Sequence, residues 1–283
     1  MQTAIVDNYI RLQEVLSALS KEGKRIALVP TMGALHEGHM ALINEAKQHA
    51  DSVVASIFVN PIQFSAGEDF EKYPRPLDSD IQKLTDAGVA VAYTPNSQDM
   101  YSEGFATTVN VGQIGQVLCG KSRPYHFNGM ATVVSKLLLR VLPHVALFGE
   151  KDYQQLCIIR QLTRDLDIPV EIRGVPTVRE ADGLAMSSRN AYLTPEQRSI
   201  APKLYETLKN TAMLIASSEL PVFQILQGAI EQLVATGFEV EYIELRDRDT
   251  LDVVDDFEAP MVARLLAAVK LGNTRLIDNV IVG

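Results

Sequence analysis

The sequence predicts an α/β fold: a Rossmann-like parallel sheet in an N-terminal domain, then a smaller α+β C-terminal domain of helices plus a short antiparallel sheet. Two observations predict it. Up to about residue 176, apolar runs alternate with helical patterns, and the runs are continuous rather than alternating with polar residues. Strands covered on both faces read this way. After about residue 185 the grammar changes to helices followed by strands around tight turns. The expected domains are therefore residues 1–176 and 177–283.

The expected strands are Ile26–Val29, Val53–Val59, Val89–Tyr93, Val145–Phe148 and Val170–Val175. Between them come helical patterns over His39–Gln48, Asp78–Ala87, Met130–Val141 and Tyr153–Leu166. Thr194-Pro195-Glu196-Gln197 reads as a helix start: N-cap, first-turn proline and capping-box glutamine. That helix is expected to run to about Ser217, and a second over Val222–Ala235. Strands near Val240–Arg246, Met261–Leu271 and Thr274–Val280 follow, the last two joined by a turn at Gly272-Asn273.

In a parallel sheet, ligands bind past the carboxyl ends of the strands, and the chemically rich segments fall there. Pro30-Thr31-Met32-Gly33-Ala34-Leu35-His36-Glu37-Gly38-His39 joins the first expected strand to its helix. A helix start offers N–H groups and a positive dipole end to an anion. Two glycines permit close approach, and two imidazoles add donors or charge. The placement points to a nucleoside triphosphate. Asn60-Pro61-Ile62-Gln63-Phe64 follows the second strand, and Gly149-Glu150-Lys151-Asp152 follows the strand Val145–Phe148. Lys151 can meet phosphate oxygens, and Gln155, one helical turn later, can share its face. Met186-Ser187-Ser188-Arg189-Asn190 offers hydroxyls and a guanidinium to phosphate. Arg123 and His126 can add cationic contacts. Asp78 and Asp80 read as first-turn carboxylates interacting with a helix dipole.

Composition narrows the class. Apolar residues make up 47% of 283, which allows a sizeable core. A net charge of −9 argues against general attraction to nucleic acid or anionic membrane. No apolar run is long enough for a membrane span, and the start lacks a leader pattern. Cys119 and Cys157 have no zinc spacing and read as buried small hydrophobes in a reducing cytoplasm.

Taken in order, the His-x-Gly-His segment, Phe58–Phe64, Tyr73-Pro74-Arg75, Phe148–Gln155 and Met186–Asn190 give a specific pattern. The chain resembles the pantothenate synthetase (pantoate–β-alanine ligase) family along essentially its whole length. The His-x-Gly-His and Ser-Ser-Arg elements are also similar to those of a wider adenylyl-transferring group. The resemblance implies a two-step ligation: pantoate attacks the α-phosphorus of ATP, and β-alanine then attacks the pantoyl adenylate. It implies ATP contacts at Pro30, Thr31, Met32, Gly33, Ala34, Leu35, His36, Glu37, Gly38, His39, Gly149, Glu150, Lys151, Asp152, Val178, Met186, Ser187, Ser188 and Arg189. It gives catalytic roles to His39, His36 and Lys151. Pantoate falls to Gln63, Gln155 and Asn60, β-alanine to Gln63, and Arg123 becomes a phosphate contact. It also implies magnesium with the ATP and a homodimer in the cytoplasm, without naming metal ligands. One departure is visible: Tyr125 and Asn128 stand where the family usually reads Gly and Arg. A nucleotidyltransferase that stops at a dinucleotide and a silent nucleotide binder are the competing readings.

Overall fold

The structure, a computed structural model, describes residues 3–65, 67–217 and 220–283; Met1 and Gln2, part of the start read for a leader, lie outside them. Backbone contacts group the chain into two compact units: Met1–Glu150 with Ile158–Pro176, and Lys151–Cys157 with Thr177–Gly283.

Among the described residues of the first unit, β1 (Ala4–Val6), β2 (Ile26–Thr31), β3 (Ser52–Ile57), β4 (Val91–Tyr93), β5 (Val145–Gly149) and β6 (Glu171–Val175) make one sheet. Its order is β1-β4-β3-β2-β5-β6, and every pairing is parallel. The intervening helices are α1 (Tyr9–Lys21), α2 (Glu37–His49), α3 (Leu77–Asp86), α4 (Ser97–Met100), α5 (Cys119–Ser122) and α6 (His126–Val141); α7 (Tyr153–Asp165) follows β5 in the chain. Val29, Ile43, Ala55, Leu84 and Val145 pack into a core around α2. Burial on both faces explains the unbroken apolar runs of β2 and β3. The strand order reverses between β2 and β5, which pair at Ala27 with Val145 and Leu28 with Ala146. Such a switch point is where open α/β sheets bind ligands. It lies at Thr31 and Gly149, the carboxyl ends of β2 and β5.

The second unit carries α8 (Pro195–Ile200), α9 (Lys203–Ser217), α10 (Val222–Ala235) and the antiparallel strands β7 (Glu239–Asp247), β8 (Ala263–Leu271) and β9 (Thr274–Val282). Leu204, Leu208, Leu233, Ile243, Leu265 and Val269 fill its core.

The structure corrects the expected boundaries in four places. The helix expected from Thr194 to Ser217 is two helices, because Pro202 has no N–H to give Arg198 and its ring crowds that carbonyl. β3 ends at Ile57, since the chain turns into Asn60-Pro61. α6 begins at His126 rather than Met130. β1 and α1 have no counterpart among the expected elements; the Asn8 side chain caps α1 by accepting the Arg11 N–H at 3.0 Å. Among the described residues, no helix is long and apolar enough to cross a membrane.

Candidate active site

The turn after β2 is fixed from beneath. The Thr31 hydroxyl accepts the Gly33 N–H at 3.1 Å and donates to Ser56 O at 2.7 Å. Gly33 takes φ +81, and a Cβ there would stand 3.0 Å from both Asp80 Oδ2 and Ile57 Cγ2, so glycine is required. Asp80, 1% exposed, accepts the Ala34 N–H at 2.7 Å and the Leu35 N–H at 2.8 Å. Lys83 donates to Leu35 O at 2.6 Å. Asp80 thus anchors the turn, a larger role than the expected dipole partner.

His36 is the N-cap of α2. Its Nδ1 accepts the Gly38 N–H at 3.1 Å, and His39 Nδ1 accepts the His36 N–H at 3.3 Å. A nitrogen that accepts carries no proton, so each neutral ring holds its proton on Nε2. The rings lie 4.2 Å apart. The expected cradle of backbone N–H groups is therefore corrected. Those of Gly33, Ala34, Leu35, His36, Gly38 and His39 all bond within the protein. The turn presents two imidazole rings protonated on Nε2 and the positive end of the helix dipole instead.

The segment after β3 reaches the same turn. Pro61–Gln63 forms a 3₁₀ turn, and Gln63 Nε2 donates to Met32 Sδ at 3.0 Å. Asn60, 1% exposed, donates through Nδ2 to Gln63 Oε1 at 3.0 Å and to Gly129 O at 3.2 Å. The Tyr101 hydroxyl donates to Asn60 Oδ1 at 2.6 Å. With its amide bound on every side, Asn60 supports Gln63 rather than pointing to a ligand. A Cβ on Gly129 would run into Ile62 O, so α6 presses directly on this turn.

A second set of bonds holds the Gln63 backbone. His126 Nδ1 lies 2.7 Å from Gln63 O, which only accepts, so Nδ1 carries the proton. Nε2 then accepts from Arg123 Nη1 at 3.1 Å. Arg123 grips both oxygens of Glu68 at 2.7 Å, so its guanidinium is already paired, contrary to the expected phosphate contact. Burial pushes the Glu68 carboxyl up, but the Arg123 hydrogen bonds and charge outweigh this and hold it below its ordinary value. Tyr125 takes the left-handed φ +70 on the exposed surface, a conformation a glycine would adopt without strain. Asn128 Oδ1 accepts the Val111 N–H at 3.3 Å.

In the second unit, Lys151 Nζ stands 3.6 Å from Asp152 Oδ2, and Lys151 O accepts from Asn279 Nδ2 at 3.0 Å. Lys151 lies in the 3₁₀ turn Glu150–Asp152, which runs directly into α7, the helix that carries Gln155. Val178 O accepts the Met186 N–H at 3.0 Å, closing a hairpin whose isolated bridge pairs Arg179 with Ala185. Ser187 caps the 3₁₀ turn Ser188–Tyr192, its Oγ accepting the Arg189 N–H at 3.3 Å. Asn190 ties this turn to Glu180 Oε1 at 2.8 Å and Ala185 O at 3.1 Å. Arg198 bonds Glu180 at 2.5 Å and Asp182 at 2.6 Å, and Arg179 binds Asp278 at 2.6 and 2.9 Å.

Met32, Gly33, His36, His39, Asn60 and Gln63 are thus gathered in the first unit, while Lys151, Gln155, Val178 and Met186–Arg189 belong to the second. The sequence reading misses Asp80, Tyr101 and Glu68 as site residues. Only Asp80 leaves a signal: it shares the buried stripe of α3 with Leu84, one turn on. Cys119 and Cys157 are buried, as expected, and neither is in a disulfide. Among the described residues, no group of three or more His, Cys, Asp or Glu is placed to hold a metal.

The family model for pantoate-beta-alanine ligase matches residues 4–281. A pantothenate synthetase of Paramagnetospirillum magneticum is 52% identical over 283 residues, covering 99% of each chain. The pantothenate synthetase structure from Thermus thermophilus matches with a TM-score of 0.91 at 45% identity, over 98% of this chain and 99% of that one. The Francisella tularensis pantoate-beta-alanine ligase, solved in complex with beta-gamma ATP and beta-alanine, matches with a TM-score of 0.83 at 38% identity, over 98% of this chain and 97% of that one. By sequence over its length and by fold, the chain belongs to the pantoate-beta-alanine ligase family.

Proposed function

We propose that this chain condenses (R)-pantoate with β-alanine at the expense of ATP, through a pantoyl adenylate, to give pantothenate, AMP and pyrophosphate. Family membership supports the reaction. The observation that carries it to particular residues is the contact of Gln63 with Met32, which sets an amide suited to an acid beside the turn suited to a triphosphate.

In the first step a pantoate carboxylate oxygen attacks the α-phosphorus, and the bond to the β-phosphate oxygen breaks. Negative charge develops on the departing pyrophosphate. His36 and His39 meet it with Nε2–H donors whose tautomer the capping box sets beforehand, so little reorganisation is needed. Lys151 and Arg189 supply cationic partners to phosphate oxygens, with the Ser187 and Ser188 hydroxyls, the Met186 and Val178 backbone, and Gly149, Glu150 and Asp152 completing the ATP contacts. The remaining ATP contacts come from Pro30–Leu35, Glu37 and Gly38. Magnesium enters as part of the MgATP substrate, with phosphate and water ligands. Gln63 and Gln155 orient pantoate, and Gln63 also faces β-alanine. In the second step the β-alanine amine attacks the acyl carbon, AMP leaves and the amine loses a proton. Positioning carries much of the rate, because adenylation has already supplied the leaving group. The working form is taken to be a cytoplasmic homodimer, which light scattering of the purified protein tests for its assembly.

Pantoate labelled with heavy oxygen in its carboxylate tests the pathway. Transfer of one labelled oxygen into AMP is expected. Label confined to pantothenate would exclude the adenylate. An adenylylated phosphate product without amine dependence would favour the nucleotidyltransferase, and ATP binding without turnover the silent binder.

A further inference from the structure

Gln63 can present either end of its amide to a ligand, and the two ends make opposite demands. Nitrogen donates to a carboxylate or hydroxyl oxygen; oxygen repels a carboxylate. The choice is made away from the ligand. Gly129 O can only accept, so the Asn60 nitrogen must face it, at 3.2 Å. The same nitrogen then meets Gln63 Oε1 at 3.0 Å, and Asn60 Oδ1 is left to face the Tyr101 hydroxyl at 2.6 Å. Tyr101 must therefore donate. Burial pushes its phenol well above the usual range, despite the opposing charge of Arg140, so the donated proton stays in place. Its ring is held by Phe105, at 5.0 Å between centroids, and by Phe58 at 6.1 Å. With Oε1 held toward Asn60, the Gln63 nitrogen is the end turned away from it, giving one N–H to Met32 Sδ and keeping the second to donate to a ligand.

We propose that Tyr101 is a positioning residue that sets substrate specificity: through Asn60 it fixes the Gln63 amide with nitrogen toward the acid substrate. The inference rests on the assignment of Gln63 to pantoate. Without the hydroxyl, Asn60 Oδ1 is buried without a donor, the Asn60 amide is held only from the Gly129 side, and Gln63 loses a firmly placed partner.

A double-mutant cycle tests it. Tyr101→Phe keeps the ring and removes only the donor. It is expected to raise KM for pantoate roughly tenfold while KM for ATP stays within about twofold, as loss of a hydrogen-bonding substrate contact does. Gln63→Ala is expected to raise the same KM at least as much. In that background Tyr101→Phe is expected to add less than about twofold, because the two act as one unit. Thermal melting and ATP affinity report folding. Asn60→Ala, which cuts the relay in its middle, gives a second reading: it raises KM for pantoate and makes Tyr101→Phe silent. If Gln63→Ala leaves KM for pantoate unchanged, the assignment of Gln63 falls and the relay with it. If Gln63→Ala raises KM and Tyr101→Phe does not, the relay alone falls. Multiplying effects in the double mutant would also overturn it, since Tyr101 would then act independently of Gln63.

Discussion

The turn after β2 and the turn bearing Ser187–Arg189, both proposed to meet phosphate, are held by opposite means. The first is pinned by a buried carboxylate, Asp80, and by two imidazoles that cap their own helix. The second is braced by ion pairs nearer solvent: Arg198 is 32% exposed in its contacts with Glu180 and Asp182. Arg179 with Asp278 is more enclosed, and its guanidinium also lies 3.6 Å from the Tyr205 ring centroid. The comparison teaches where rigidity is built in. Bonds from backbone N–H to a buried acceptor persist in salt, while partly exposed ion pairs weaken with ionic strength.

The largest effect is expected where the first anchor is removed. Asp80→Ala orphans two backbone N–H groups and should cost about 3 kcal/mol of stability in urea unfolding. ATP affinity should fall with it. Unchanged stability would mean the turn holds itself without Asp80. Next comes Asp278→Asn, which leaves the Arg179 charge poorly compensated. About 2 kcal/mol is expected, less than for a fully enclosed pair because Arg179 retains some exposure. Near-neutral behaviour would place this pair with the surface ones.

The acid limb of stability sharpens the comparison inside the first unit. Glu68 is depressed in the folded state, so its contribution is complete above the ordinary glutamate range near ~4.3 and is lost as pH falls below it. Glu68→Gln should flatten that part of the pH–stability curve by lowering stability at neutral pH while leaving the acid end little changed. A parallel shift at all pH values would remove the Arg123 ion pair as the cause. The smallest effect belongs to Arg198→Gln. It should cost about 0.5–1 kcal/mol at low salt and almost nothing at high salt, whereas the Asp80→Ala cost should persist.

These differences also explain what is legible in the sequence. The β2 run, the histidines and Gln63 announce themselves because their meaning is local: a strand end, a turn, a helix start. Asp80 reads as a helix-dipole partner because its real partners, Ala34 and Leu35, lie 46 and 45 residues away. Tyr101 is invisible for the same reason, standing 41 residues from Asn60. The histidines are legible as residues and not as tautomers, which depend on hydrogen bonds between His36, Gly38 and His39. Arg123 reads as a phosphate ligand because Glu68, which claims it in the fold, is 55 residues away. Local pattern reveals the strand ends and turns that carry the candidate groups; the groups that hold them come from distant segments.

The most direct test of the proposed chemistry is rapid-quench measurement of pyrophosphate released from MgATP and pantoate, with and without β-alanine. Without the amine, a burst of roughly one pyrophosphate per site should accompany enzyme-bound pantoyl adenylate, as expected for a covalently activated intermediate that accumulates. Adding β-alanine should convert the burst into continuous release of AMP and pantothenate. Folded protein that binds ATP but releases no pyrophosphate on adding pantoate would contradict the assignment of Gln63 and the histidine turn to acid activation.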